Sequence, residues 1–209
     1  MRHLKMLGLA AIAAVALVAV AGAGSASATA LCSTTGDPCP AGQKWPVNTA
    51  FDFSAKEFAL IFRDTGGEEL DKCTSATIKG KISNAGSSTE TVTGPIEQFT
   101  FGSCTFPTTI LSKGSLEVHK SVGTSNGTVT ADGPIEATIN TIPFGSCIYL
   151  ITSGKSFGDL TEGKPAILHV NAPLDKISGS NIACPESIVL VATLTQTEPS
   201  NTTLSVSSS

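Results

Sequence analysis

Charge and aromatic rings are both scarce in this chain. Charged residues make up 14% of it and aromatic ones 5%, with one tryptophan, one tyrosine and two methionines. Helical proteins carry charged helix formers on their wet faces, so this composition argues against that class. The 13 Lys and Arg are outnumbered by 17 Asp and Glu, for a formal charge of −4. Arg2 and Lys5 stand in the first five residues, and Arg63 is the only arginine after them. No basic stripe is left for nucleic acid and no polybasic patch for a membrane surface. There is no Cys-x-x-Cys pair or Cys/His spacing suited to zinc and no Gly-x-Ser-x-Gly elbow. No phosphate-binding glycine loop opens a helix either. These absences remove the usual signatures of metal, acyl-transfer and nucleotide chemistry, and no cofactor is expected.

What is present begins with a leader. Arg2 and Lys5 head an apolar run, Leu7–Val20, which is followed by small residues through Ala30. This is a signal-peptide layout over residues 1–28, with Ala-x-Ala cleavage after Ala28 or after Ala30. The run falls short of the about 20 residues a membrane span needs. Leu31, before Cys32, is larger than the residue lipid-anchored precursors carry there. Removing the leader takes two positive charges with it and leaves about 180 residues, enough for one domain with a proper core.

Thr, Ser and Gly, together with Val and Ile in alternation, predict an all-β fold. Residues 29–46 form a disulfide-ringed N-terminal segment, 47–197 a single all-β domain, and 198–209 a polar tail expected to fray. Phe51 and Phe53 alternate with polar residues, Phe58–Arg63 is nearly continuous, and Ala76–Ser83 gives the cleanest period of two. Leu111–Val122, Ile148–Thr161, Ala166–Ser178 and Ser187–Thr197 continue the series. A unit is written twice: Thr-Val-Thr, Gly-Pro-Ile-Glu and Phe-Gly-Ser-Cys recur at Thr91–Cys104 and Thr128–Cys147. Proline cannot donate to a ladder and glycine weakens one, so Gly94-Pro95 and Gly133-Pro134 read as bulges or bends. The expected architecture is a strongly twisted antiparallel meander closed into a sandwich or barrel.

The six cysteines, Cys32, Cys39, Cys73, Cys104, Cys147 and Cys184, read as three disulfides in an exported chain. Cys32 and Cys39 close a local ring. For the other four, hairpin partners lie equidistant from a turn. The pairs 73/104, 104/147 and 147/184 all centre on turn clusters. Two schemes survive: Cys73–Cys104 with Cys147–Cys184, which is preferred because each bond closes one hairpin, or Cys104–Cys147 with Cys73–Cys184.

Candidate chemistry is thin. Glu117 and His119 share one strand face; Ile167, His169 and Asn171 share another. Were those faces to meet, a Glu/His/His metal or acid–base site would form; solvated strand residues are the plainer reading. Asp64, Glu68, Glu69 and Asp71 surround Gly66-Gly67 and offer oxygen ligands for calcium, but lack a defined ligand loop. Trp45 and Tyr149 are too few for an aromatic carbohydrate platform. Asn126-Gly-Thr and Asn201-Thr-Thr are bare glycosylation sequons. No catalytic, cofactor or metal residue is assigned.

The segments Leu31–Thr35, Ser83–Gly94, Gly114–His119, Asn126–Thr130 and Phe144–Cys147 resemble a group of small secreted all-β proteins of actinobacterial type, a group without a known function. The resemblance spans nearly the whole chain and implies a secreted β-protein, with no catalytic residues to carry over. The resulting expectation is an exported non-enzymatic structural or binding module. Its partner would be a cell-envelope component or a small apolar ligand, with a ligand carrier and a secreted hydrolase as the alternatives. Neither nucleic acid nor, after leader cleavage, a membrane is expected as partner.

Overall fold

The computed structural model describes residues 29–141 and 145–209, with all side chains there but those of 57–59. The leader expected over 1–28, and Phe144 of the second repeat, lie outside the described residues. Every named element is a strand, in line with the all-β expectation.

The chain opens with β1 (Ala30–Cys32) and an irregular segment, then runs into β2 (Ala50–Asp64), a single strand of 15 residues. β3 (Glu69–Lys81) returns beside it, and β5 (Val92–Cys104) follows after the short β4 (Asn84–Ala85). Next come β6 (Thr108–Ser112) and β7 (Ser115–Lys120), separated by two residues, then β8 (Gly127–Ala131) and β9 (Ile135–Thr141). β10 (Gly145–Ile151), β11 (Ser156–Thr161), β12 (Ile167–Lys176) and β13 (Ser187–Glu198) complete the wall, and β14 (Ser205–Ser207) pairs back with β1.

The ladders close on themselves. The order β11–β8–β7–β5–β3–β2–β13–β12 returns to β11, giving a closed antiparallel barrel of eight strands. β6, β9 and β10 carry β7, β8 and β11 on into the other half, where β6 pairs β9, β9 pairs β10 and β10 pairs β12. Each stave is thus the sequence neighbour of the next, and the last, β13, closes on the first, β2. This up-and-down circuit satisfies the edges that an open sheet would leave bare. One seam remains. β6 lies beside the second half of β5 without a ladder between them among the described residues. The Ile96 N–H donates to the Gly114 carbonyl at one end of that seam (3.1 Å), and Lys113 Nζ donates to the Glu97 carbonyl within it.

The Gly-Pro steps behave differently in the two copies. β5 runs unbroken through Gly94-Pro95, but there it changes partner, from β7 at Val92–Pro95 to β3 from Ile96 onward. A one-residue bulge at Glu97 accompanies the change, between Lys79↔Gln98 and Gly80↔Ile96. In the second copy the strand breaks, and Gly133-Pro134 separates β8 from β9. The closing Gly-Ser-Cys then falls on the next strand, β10, whereas in the first copy it ends the same strand, β5.

An eight-stranded barrel is just wide enough for side chains to fill it, and here they do. Phe62, Phe99, Phe101 and Phe157 meet edge to face at the centre, with ring centroids 4.9–6.3 Å apart. Leu60, Ile78, Leu174, Ile188, Leu190 and Leu194 pack around them, each almost wholly buried. Each such side chain contributes about 2 kcal/mol on burial.

Both ends of the described chain, from Thr29 and to Ser209, lie at one end of the barrel and cap it. Leu31, Trp45, Leu204 and Val206 join the barrel's own hydrophobic cluster. Residues beyond Glu198 are therefore not frayed. Leu204 bridges Gly163, the Val206 N–H donates to the Ser125 carbonyl (2.8 Å), and the Ser205 and Ser207 hydroxyls donate to the Thr34 and Gly36 carbonyls (2.7 Å each). Their polarity is met by hydrogen bonds inside the cap, which is why a sequence reading as exposed is buried. Asp37 ties the two termini to the wall through Lys120 (2.7 Å) and the Ser208 N–H (2.9 Å). These bonds, Lys120's first, hold the Asp37 carboxyl well below the usual carboxylate range.

The disulfides are Cys32–Cys39, Cys73–Cys104 and Cys147–Cys184, the hairpin-closing scheme. The first lies in the cap. The other two brace the opposite end.

Candidate binding pocket at the open mouth

The end away from the cap is formed, among the described residues, by the β2–β3 and β5–β6 connections and by the loop between β12 and β13. A cavity of about 180 Å³ opens there, lined by Glu68, Glu69, Leu70, Phe106, Ile139 and Tyr149, with Thr141, Cys147 and Pro185 at its edge. Alternation along β10 places Cys147, Tyr149 and Ile151 on the inner face. Tyr149 is the chain's only tyrosine and is 1% exposed, yet its hydroxyl makes no hydrogen bond to another described residue. It is also not among the sealed unpaired atoms, which are Asp52 Oδ1 and Glu162 Oε2. The phenol oxygen therefore reaches the cavity. Burial, reinforced by the charge of Glu186, pushes this phenol up to about 12.

The rim is held stiffly. Asp71, 2% exposed, accepts from the Lys72 N–H (2.8 Å), the Phe106 N–H (3.0 Å) and Thr108 Oγ1 (2.6 Å), fixing Phe106 over the mouth. The Cys73–Cys104 bond holds β3 to β5 two residues before Phe106. Cys147–Cys184 ties β10 to the loop that carries Pro185. A rim braced in this way is preorganised, so little order has to be imposed on binding.

The acidic turn divides by role. Asp64 caps it, accepting from the Glu68 N–H (2.8 Å). Asp71 is used internally, while Glu68 and Glu69 are exposed and face the cavity. Asp71 also lies with Cys73 and Cys104 in the one group of three potential metal ligands among the described residues. Those two sulfurs are bonded to each other and the carboxylate is satisfied, so that group is structural.

The histidines do not converge. Glu117 accepts from Thr91 Oγ1 and lies 3.4 Å from His119 Nε2, which is also 3.1 Å from Thr130 Oγ1. The ladders place His119 opposite Thr128, Thr128 opposite Asp159, and Asp159 opposite His169. Two strands thus separate the histidines on the outer wall, about 14 Å at the usual strand spacing. His169 contacts Thr193 instead (3.5 Å). Trp45 is buried in the cap, and Asn126 Oδ1 accepts from the Glu162 N–H (2.9 Å).

A second cavity lies under the cap between Leu31, Trp45, Phe53, Leu116, Leu160 and Leu204. It holds about 50 Å³, against at least about 300 Å³ for a typical ligand pocket.

Fold and mouth together define a disulfide-braced antiparallel β-barrel, plugged at one end and recessed at the other. No protein-family model, no curated protein and no solved structure matches the chain. Sequence reasoning missed Tyr149 and Phe106 as site residues. The one available signal was a lone tyrosine two residues after a cysteine pairing point.

Proposed function

We propose that the chain is an exported, non-enzymatic binding module that presents the open mouth of a rigid barrel to a molecule outside the cell membrane. The observation that carries this reading is the asymmetry of the two ends: one sealed by both termini, the other recessed, with a buried phenol oxygen reaching the recess. The three disulfides fit an oxidising compartment, and the leader read at 1–28 supplies the route there. A cell-envelope component or a small solute is the class of partner that reaches such a site.

The test is an amide chemical-shift screen of the secreted protein against a fragment library. Hits shifting Leu70, Ile139 and Tyr149 are expected, and hits confined to the cap end count against the reading. Turnover in a panel of small hydrolase substrates, abolished by His119→Ala or His169→Ala, overturns it.

A further inference from the structure

We propose that the mouth is a site for a small organic cation, an ammonium on a single ring or a short alkyl chain, held between the Glu68 and Glu69 carboxylates and the Tyr149 phenol. The proposal rests on the mouth being the binding face, and its test separates the two ideas.

The donor set points one way. No lysine, arginine or histidine is among the described residues lining the cavity, and Lys176, across the ladder from Tyr149, is engaged by Glu186 and the Cys184 carbonyl. No ion pair among the described residues occupies Glu68 or Glu69. Arg63, the ladder partner of Glu69, is exposed like it and is not among the described residues that line the recess. An anion would meet two uncompensated carboxylates. A neutral apolar molecule would leave the phenol oxygen unmatched, and an unmatched polar group in a closed site is costly. An ammonium satisfies all three, since its N–H groups donate to carboxylates at the rim and to the lone pairs of a phenol that stays protonated below it. Leu70, Phe106, Ile139 and Pro185 supply an apolar wall for the carbon part of the ligand. The cavity's about 180 Å³ limits that part, because drug-sized ligands occupy about 300 Å³ or more. The acidic composition of the whole chain draws a cation toward it at long range.

The experiment titrates the full secreted chain with benzylamine, benzyl alcohol and benzoate while amide shifts are followed. Benzylamine is expected to shift Leu70, Ile139 and Tyr149 and to bind about tenfold more tightly than the alcohol, the margin of one charge-assisted hydrogen bond. Benzoate is expected not to bind. Glu68→Gln with Glu69→Gln, both exposed, weakens the amine about tenfold and leaves the alcohol unchanged. Tyr149→Phe keeps the ring and weakens the amine. Equal binding of amine and alcohol at the mouth, or an undiminished amine in the Gln variant, overturns the cation proposal while leaving the mouth as the binding face. Shifts confined to other surfaces, or no binding by any of the three, overturn both.

Discussion

Cutting the Cys147–Cys184 bond should cost this protein more stability than cutting Cys32–Cys39, although the latter sits where both termini are secured. Residues 147 and 184 are 37 apart in sequence, and residues 32 and 39 are 7 apart. In the chain-entropy model the longer loop restrains the unfolded chain by about 3.8 kcal/mol and the shorter by about 2.4 kcal/mol. Cys73–Cys104, with a separation of 31, falls close to the longer value at about 3.7 kcal/mol. Alanine is the replacement of choice, because Cys147 and Cys184 are 2% and 3% exposed and a serine hydroxyl would add a desolvation cost of its own. Urea unfolding of the three double-alanine variants, followed by far-ultraviolet circular dichroism, gives the order. Trp45 fluorescence in the same titration reports the cap separately. A Cys147→Ala/Cys184→Ala protein within about 1 kcal/mol of the parent would refute the reasoning. So would a Cys32→Ala/Cys39→Ala protein that proved the least stable of the three.

Tyr149 is the only tyrosine, so alkaline absorbance reads it directly: ionisation near 12 in the folded protein and near 10 in urea is expected. Because the folded value is the higher one, its contribution is complete below about pH 10 and is lost as pH rises through 12; a folded-state titration near 10 would show that the phenol is not buried. Asp37 has the opposite sign. Its lowered value stabilises the cap above the ordinary carboxylate range, and that contribution fades as pH falls toward the folded value. Asp37→Asn should cost about 1 kcal/mol at pH 7 by thermal melting and much less at pH 2, and an equal loss at both would remove the latch. Gly80→Ala would place a methyl 2.2 Å from the Pro95 carbonyl oxygen and 2.5 Å from Phe51 Cζ, at the bulge where β5 changes partner. A loss of about 2–4 kcal/mol in urea unfolding is expected, and a neutral outcome contradicts the close packing there. Mass spectrometry of the secreted protein should find Thr29 at the N-terminus. Thr29 and Ala30 are fully buried and Ala30 pairs with Ser207, so cleavage after Ala30 would remove part of the cap.

What the sequence disclosed and what it withheld divide along a physical line. Alternation such as Ala76–Ser83 and the placement of turns are local, so the all-β meander and the hairpin-closing disulfides were legible from one stretch of chain at a time. Partner choice is not local. Gly94-Pro95 and Gly133-Pro134 read alike, yet one lies within a strand that exchanges β7 for β3 and the other parts β8 from β9. Only closure of β13 on β2 decides which staves run the full height and which divide at the middle. Closure also brings both termini to one end, where Ser205 and Ser207 find carbonyl partners and become core although their polarity reads as tail. The mouth is the other consequence. With Asp71 turned inward to hold Phe106 and Asp64 spent on its own turn, only Glu68 and Glu69 of the acidic cluster are left facing the recess in which Tyr149 lies. A composition of four nearby carboxylates suggests calcium. The fold separates them into two that build the rim, Asp64 and Asp71, and two, Glu68 and Glu69, that line the recess together with Tyr149, and this division is what the proposed ammonium site rests on in place of a metal site.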